Sequence, residues 1–169
     1  MGFFTKSELG TPSPDRLPHL SVELITDVLD SWDARYVLDN DGDPVGFWDE
    51  HLFCFMRTGA DQEIFAMRGR WTRSLGVEEL DTVREVLNDW HTTKIWPKAY
   101  VRTEDNGLGV YADVAITLGA GVTPAQLDDL MSFGLSTTLQ LFEHLDERFP
   151  QAASAARAAA EERAAATAD

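Results

Sequence analysis

The sequence predicts an α+β fold, an antiparallel sheet with helices in the order α-β-β-β-α-β-β-α. Three observations carry this. Three stretches repeat apolar residues at helical spacing, five shorter ones alternate or run apolar over strand length, and the connections between strands are short and rich in Asp, Asn and Gly.

Residues 1–19 hold Pro12, Pro14 and Pro18 among Ser, Thr, Gly and Asp, and read as a flexible lead-in. Ser21 is the expected N-cap of a first helix, whose apolar stripe is Leu24, Ile25, Val28, Leu29 and Trp32. Tyr36-Val37-Leu38 begins the sheet, and Asn40 to Asp43 supplies residues that tolerate positive φ in a hairpin turn. A second strand is expected over Val45 to Met56, and Leu52 to Met56 is apolar at every position, which predicts cover on both faces.

The third strand runs from Ile64 to Thr72, where Phe65, Met67 and Trp71 alternate with Ala66, Arg68 and Arg70. A second helix is expected over Val77 to Thr92, with acidic residues in its first turn, where the helix dipole favours them. Lys98 to Thr103 and Val110 to Leu118 form a hairpin around Glu104-Asp105-Asn106-Gly107. Thr123-Pro124 then opens a long third helix. Its stripe takes in Leu127, Met131, Thr138, Phe142 and Leu145, with Phe133 and Leu141 outside it, and no charged residue falls between Asp129 and Glu143. Something must cover both sides of such a helix, and a twofold contact with a second copy through Phe133 and Leu141 would do so. Residues 150–169 include eleven Ala and no large apolar residue, and read as a fraying tail. The organisation is therefore a lead-in over 1–19, one domain over 20–149 and an Ala-rich tail over 150–169.

Composition narrows the function. Of 169 residues, 44% are hydrophobic, enough for one real core, and 29 acidic residues against 14 Lys plus Arg give a net charge of −15. So acidic a surface repels phosphate backbones and anionic lipid, which argues against nucleic-acid and membrane partners. A single Cys54 cannot form an internal disulfide, and no run is apolar and long enough to span a bilayer, so a cytoplasmic location is expected.

The usual catalytic patterns are missing. The sequence contains no GxSxG, no phosphate-binding glycine loop, no HExxH and no CxxC, and no cofactor is expected. Asp39, Asp41, Gly42 and Asp43 suggest a calcium loop, but whichever residue is aligned, Pro44, or Val37 and Trp48, fall where glycine or oxygen ligands are needed; a hairpin turn accounts for them and no metal is expected. His51 and Cys54 are three apart on a strand and so point to opposite faces, which breaks a Cys-His couple. His91 ends a helix, where an imidazolium interacts with the dipole. The expectation is a protein that is not an enzyme.

Basic residues concentrate instead. Arg68, Arg70, Lys98 and Arg102 alternate with apolar residues and share the sheet face away from the helices, joined there by Tyr100 and Tyr111. Cross-strand pairing with acids such as Asp113 on a solvated sheet face is the favoured account of this strip. The other is a positive, aromatic-lined surface that grips an acidic peptide or a small anion.

Four segments in this order, Tyr36-Val37-Leu38-Asp39-Asn40-Asp41-Gly42-Asp43, Arg68-Gly69-Arg70-Trp71, Leu87-Asn88-Asp89-Trp90 and Pro97-Lys98-Ala99-Tyr100-Val101, resemble the YbjN family of bacterial sensory transduction regulators over about Leu20 to Phe149. The resemblance implies a fold like that of type III secretion chaperones and a small acidic homodimer that handles other proteins without catalysis. It carries no catalytic or ligand residues over. The combined expectation is a noncatalytic, chaperone-like regulator. It would bind a partner segment on its sheet or in a helix groove, with strand addition at exposed edges and Trp48, Trp71 and Tyr100 as anchors, and a small-anion or metabolite sensor using the basic strip is the alternative.

Overall fold

The computed structural model describes residues 17–167. Helix α1 (Val22–Ser31) is followed by strands β1 (Tyr36–Leu38), β2 (Pro44–Trp48), β3 (His51–Thr58) and β4 (Ile64–Leu75). A 3-10 turn at Val77–Glu79 leads into α2 (Leu80–Thr93), then β5 (Lys98–Glu104), β6 (Gly107–Thr117), α3 (Pro124–Arg148) and α4 (Pro150–Thr167). The six strands form one antiparallel sheet in the order β1-β2-β3-β4-β6-β5. Of the lead-in expected over 1–19, only residues 17–19 lie among those described, and they hold no regular structure.

The strand expected over Val45 to Met56 is two strands. The chain reverses at Asp49 and Glu50, both in the left-handed region with φ of 48° and 66°. Two consecutive positive φ angles make the tight turn whose twist matches a hairpin, a role that Gly or Asn usually fills. Glu50 is held there by its neighbours: its carboxylate pairs with Arg73 at 3.1 Å and its carbonyl accepts the Thr72 hydroxyl at 2.8 Å.

The helices pack on one face of the sheet. That face contributes Phe53, Phe55, Phe65, Met67, Trp71 and Val110 to the core, each no more than 1% exposed, and such side chains stabilise the fold by about 1.5–3 kcal/mol apiece. The cover expected on both faces of Leu52–Met56 is not present. Phe53 and Phe55 are buried, whereas Leu52, Cys54 and Met56 alternate with them toward the other face and are half-buried.

Helix α3 lies across the core. Ser21 caps α1, and Thr123 with Gln126 forms a capping box that starts α3, with Pro124 in its first turn. Its buried residues are Leu127, Met131, Gly134, Thr138, Leu141, Phe142 and Leu145, so Leu141 belongs to the inward stripe and is fully buried in the protomer. Phe133, at 45% exposure, remains outside. The tail expected over 150–169 is helical over Pro150–Thr167, and this α4 packs against β4 and α3, with Ala153 buried and Phe149, at the α3–α4 junction, against Trp71. The inward stripe of the charge-free length of α3 is thus covered within one protomer, by the sheet, α1, α2 and α4, while Ser132, Phe133, Ser136 and Gln140 stay exposed.

Candidate functional site

The face of the sheet turned away from the helices carries the site. The register aligns its side chains into rows that run across the strands. One row is Phe47, Leu52, Arg70, Tyr111 and Tyr100, on β2, β3, β4, β6 and β5. The next is Val37, Val45, Cys54, Arg68, Asp113 and Lys98. Both rows pass from apolar at the β1–β2 end to charged toward β5, and the first row is also aromatic there.

At the β5 end, two tyrosines and two arginines share two carboxylates. Arg68 donates to both oxygens of Asp113, from Nε at 2.8 Å and Nη2 at 3.1 Å, and the Tyr100 hydroxyl approaches the same carboxylate at 3.5 Å. Arg70 donates to Glu104 at 2.6 Å, and the Tyr111 hydroxyl donates to the other Glu104 oxygen. The Tyr100 and Tyr111 rings stack with centroids 5.6 Å apart and planes 17° from parallel. Arg102 lies 5.3 Å from the Tyr100 ring and 5.7 Å from the Tyr111 ring, and Lys98 lies 5.3 Å from Tyr100.

The electrostatics follow from these contacts. The hydrogen bond from Tyr111, with help from Arg70, holds the Glu104 carboxyl below its ordinary range against the effect of burial. Burial and the adjacent carboxylates raise both tyrosines, Asp113 acting on Tyr100 and Glu104 on Tyr111, so both stay protonated donors. The Asp113 hydrogen bond raises Arg68. Arg102 and Lys98, by contrast, have no salt-bridge partner among the described residues. Four cations therefore stand beside two carboxylates; Lys98 and Arg102 make no salt bridge among these residues and sit over aromatic rings, and Arg102 acts on Glu104 only at longer range.

Six of the residues expected to bind a partner, Arg68, Arg70, Lys98, Tyr100, Arg102 and Tyr111, are brought together here. The two tryptophans are not. Trp71 is 1% exposed, with its indole N–H on Asp146 at 2.8 Å and its ring against Phe149, so it is a core residue and not an anchor for a partner. Trp48 is paired with His51, and its half-buried ring meets Phe53 and Phe55 edge-on at 5.7 and 5.4 Å, which puts it on the helix side of the sheet. Leu141, expected at a dimer interface, is buried inside the protomer for the reason given above. What the sequence reading missed is the apolar end of the rows, above all Phe47, whose 66% exposure follows once β2 is a separate strand. Glu104, placed in a turn by its neighbours Asp105-Asn106-Gly107, also proves to be a strand-end partner of Arg70.

The strand edges are partly closed. Strand β1 has three residues. On the opposite edge, the Ala99 N–H of β5 donates to Nε2 of His91 on α2 at 3.1 Å, so this histidine occupies an edge donor that strand addition would need.

A second feature is an open cleft of about 1280 Å³ on the helix side, between the β2–β3 turn, α3 and α4. Arg73, almost fully buried, pairs with Glu50 and Asp146 at 3.1 Å each, and Asp146 also accepts from Trp71 and Arg157. His51 sits at its edge, with Nδ1 accepting the Thr72 N–H at 3.2 Å and the ring 4.7 Å from Phe142. Burial and the nearby Arg73 push its pKa down to about 4, against a smaller opposing pull from Asp146. The imidazole is neutral, and Asp146 spends its hydrogen bonds on Trp71, Arg73 and Arg157, so no aligned His-acid pair forms. Near β1, ligand atoms of Asp39, Asp43 and Cys54 lie within 4.8 Å of one another. One Asp39 oxygen there already accepts the N–H groups of Asp41 and Asp43, and burial pushes the Cys54 thiol up to about 12, so it is a protonated, inert group.

A family model described as "YbjN: Putative bacterial sensory transduction regulator" matches residues 21–147. Among solved structures, the chain is similar to that described as "Crystal structure of YbjN, a putative transcription regulator from E. coli", with 9% identity, a TM-score of 0.66, and coverage of 76% of this chain and 93% of that one. It is also similar to an uncharacterized protein from Methanothermobacter thermautotrophicus, with 16% identity, a TM-score of 0.51, and coverage of 77% and 99%. At these identities the structural likeness concerns the fold alone. None of the curated proteins matches the sequence. No described helix is long and apolar enough to cross a membrane.

Proposed function

This chain belongs to the YbjN family of sensory transduction regulators, and from that premise we propose that it works without catalysis, by holding an acidic segment of another protein on the open face of its sheet. The observation that carries this is the Tyr100–Tyr111 stack with Arg102 and Lys98 beside it, cations that make no salt bridge among the described residues. A surface that orders cations on aromatic rings in an otherwise acidic molecule is complementary to a local negative charge, which would complete the missing pairs. Capture on the face is favoured over strand addition because His91 takes up an edge donor of β5 and β1 is short. The buried His51, neutral and committed to the Thr72 amide, supports a structural role for the cleft beside it.

The same cations support a second reading, a small-anion sensor. Fluorescence anisotropy with a labelled glutamate-rich peptide at low salt separates the two. Under the proposal the peptide binds saturably, and Arg70→Glu with Arg102→Glu abolishes binding. Equal binding by the wild type and the double variant, or none by either, overturns it. Thermal stabilisation by inorganic phosphate without peptide binding favours the sensor. Of the two residues expected at a self-association surface on α3, only Phe133 is exposed, now that Leu141 lies in the core.

A further inference from the structure

Resting on the reading that the open face captures protein, we infer that its occupant is an amphipathic helix lying across the strands, with an acidic turn at the β5 end and an apolar face over β2 and β3. The bipartite rows carry this inference. Phe47 and Val37 are 66% and 69% exposed, and with Val45 and Leu52 they form an apolar plate. In the same two rows, two to four strands from β2, stand Arg70, Tyr111, Arg68 and Lys98. A purely anionic ligand would leave the plate in water. A purely apolar one would leave Arg102 and Lys98 without partners.

The dimensions suit a helix. Adjacent rows are two residues apart along each strand, about 7 Å, so an element about 10 Å across laid along them would touch both rows at once. From β2 to β5 is four strand steps, about 19 Å, the length of a helix of about 13 residues. An extended segment laid on the face would find no backbone partners there, because the N–H and C=O groups of the sheet point along its plane into their own ladders. A helix satisfies its own backbone, and acidic residues in its first turn suit both its dipole and Arg102.

A second copy of this chain does not fit. An isologous contact must be self-complementary, and a face with an apolar end and a cationic end, turned on itself, sets either cations against cations or cations against the apolar plate. Two chains of net charge −15 also repel one another at long range.

The test is selection of a random 16-residue peptide library, displayed on phage, against the immobilised full chain, followed by anisotropy on the enriched peptides. The inference expects enriched sequences with two or more acidic residues in one turn and apolar residues at helical spacing in the turns beyond. Phe47→Asp and Arg102→Glu, both at exposed positions, should each weaken binding about tenfold or more, and a proline in the middle of the peptide should abolish it. Circular dichroism of both variants checks that they remain folded. Enrichment of acidic peptides without apolar residues, unaffected by Phe47→Asp, overturns the helix inference and leaves acidic capture standing. Absence of any acidic enrichment overturns both. A molecular mass in solution that halves on Phe47→Asp assigns the face to a second copy and also overturns the inference.

Discussion

Gly69 on β4 faces Thr138 on α3 so closely that a Cβ at residue 69 would lie 2.7 Å from the Thr138 Cγ2, and 3.0 Å from ring atoms of Phe142 and Phe53. The helix approaches the sheet here because nothing projects between them. Gly69→Ala should destabilise the fold by about 1–3 kcal/mol, read as a lower urea midpoint. Pairing it with Thr138→Ala should recover part of that loss, since the methyl group in the way is then gone. Additive losses would show that the crowding lies elsewhere.

The Arg73 network predicts an asymmetry between two arginines. Arg73 is buried between Glu50 and Asp146, whereas Arg157 reaches Asp146 from solvent at 3.4 Å. Arg73→Met strands a mostly buried carboxylate and should cost about 3–5 kcal/mol, while Arg157→Ala should cost less than about 1 kcal/mol. Thermal melts of both variants check this.

His51 makes stability depend on pH in a defined direction. Its folded pKa of about 4 lies below the ordinary 6.5, so as pH falls below 6.5 the unfolded chain takes up a proton that the folded chain refuses. The contribution is fully present above pH 6.5 and is lost progressively between 6.5 and 4. Ring resonances of His51 should stay in the neutral form at pH 5.5, and His51→Gln should flatten the fall of the melting temperature over that window. A titration midpoint near 6.5 would contradict the burial described here.

Leu141 and Phe133 should part company. Leu141→Asp places an unpaired carboxylate in the core and should unfold the protein, at a cost of several kcal/mol. Phe133→Asp should remain folded with a melting temperature close to the wild type. Light scattering on this second variant also reads self-association through α3, which would appear as a halved mass.

Much of the basic strip was legible because strand periodicity is two. Once Arg68, Arg70, Lys98 and Arg102 alternate with apolar residues, they must share a face, and the strand pairing only had to bring β4 next to β6 and β5. The turn at Asp49 and Glu50 was not legible, because its residues carry no glycine signal and its left-handed backbone is held by Arg73 and Thr72 from another strand. That one turn decides that Phe47 lies opposite Leu52 and opens onto solvent. Helix α4 was hidden for a related reason: alanines confer propensity, but the surface that fixes them is Phe149 and Ala153 against β4 and α3.

Taken alone, the amino-acid order determined the α+β class, the alternation of β4, β5 and β6 and the sign of the exposed strip, since these depend on periods of two and 3.6 and on local charge. Only the tertiary structure decided that Leu141 and Trp71 belong to the core, that α4 shelters α3, and that the cationic strip continues into an apolar plate. These depend on which distant surfaces meet, and contacts between residues far apart in the chain leave no mark on local periodicity.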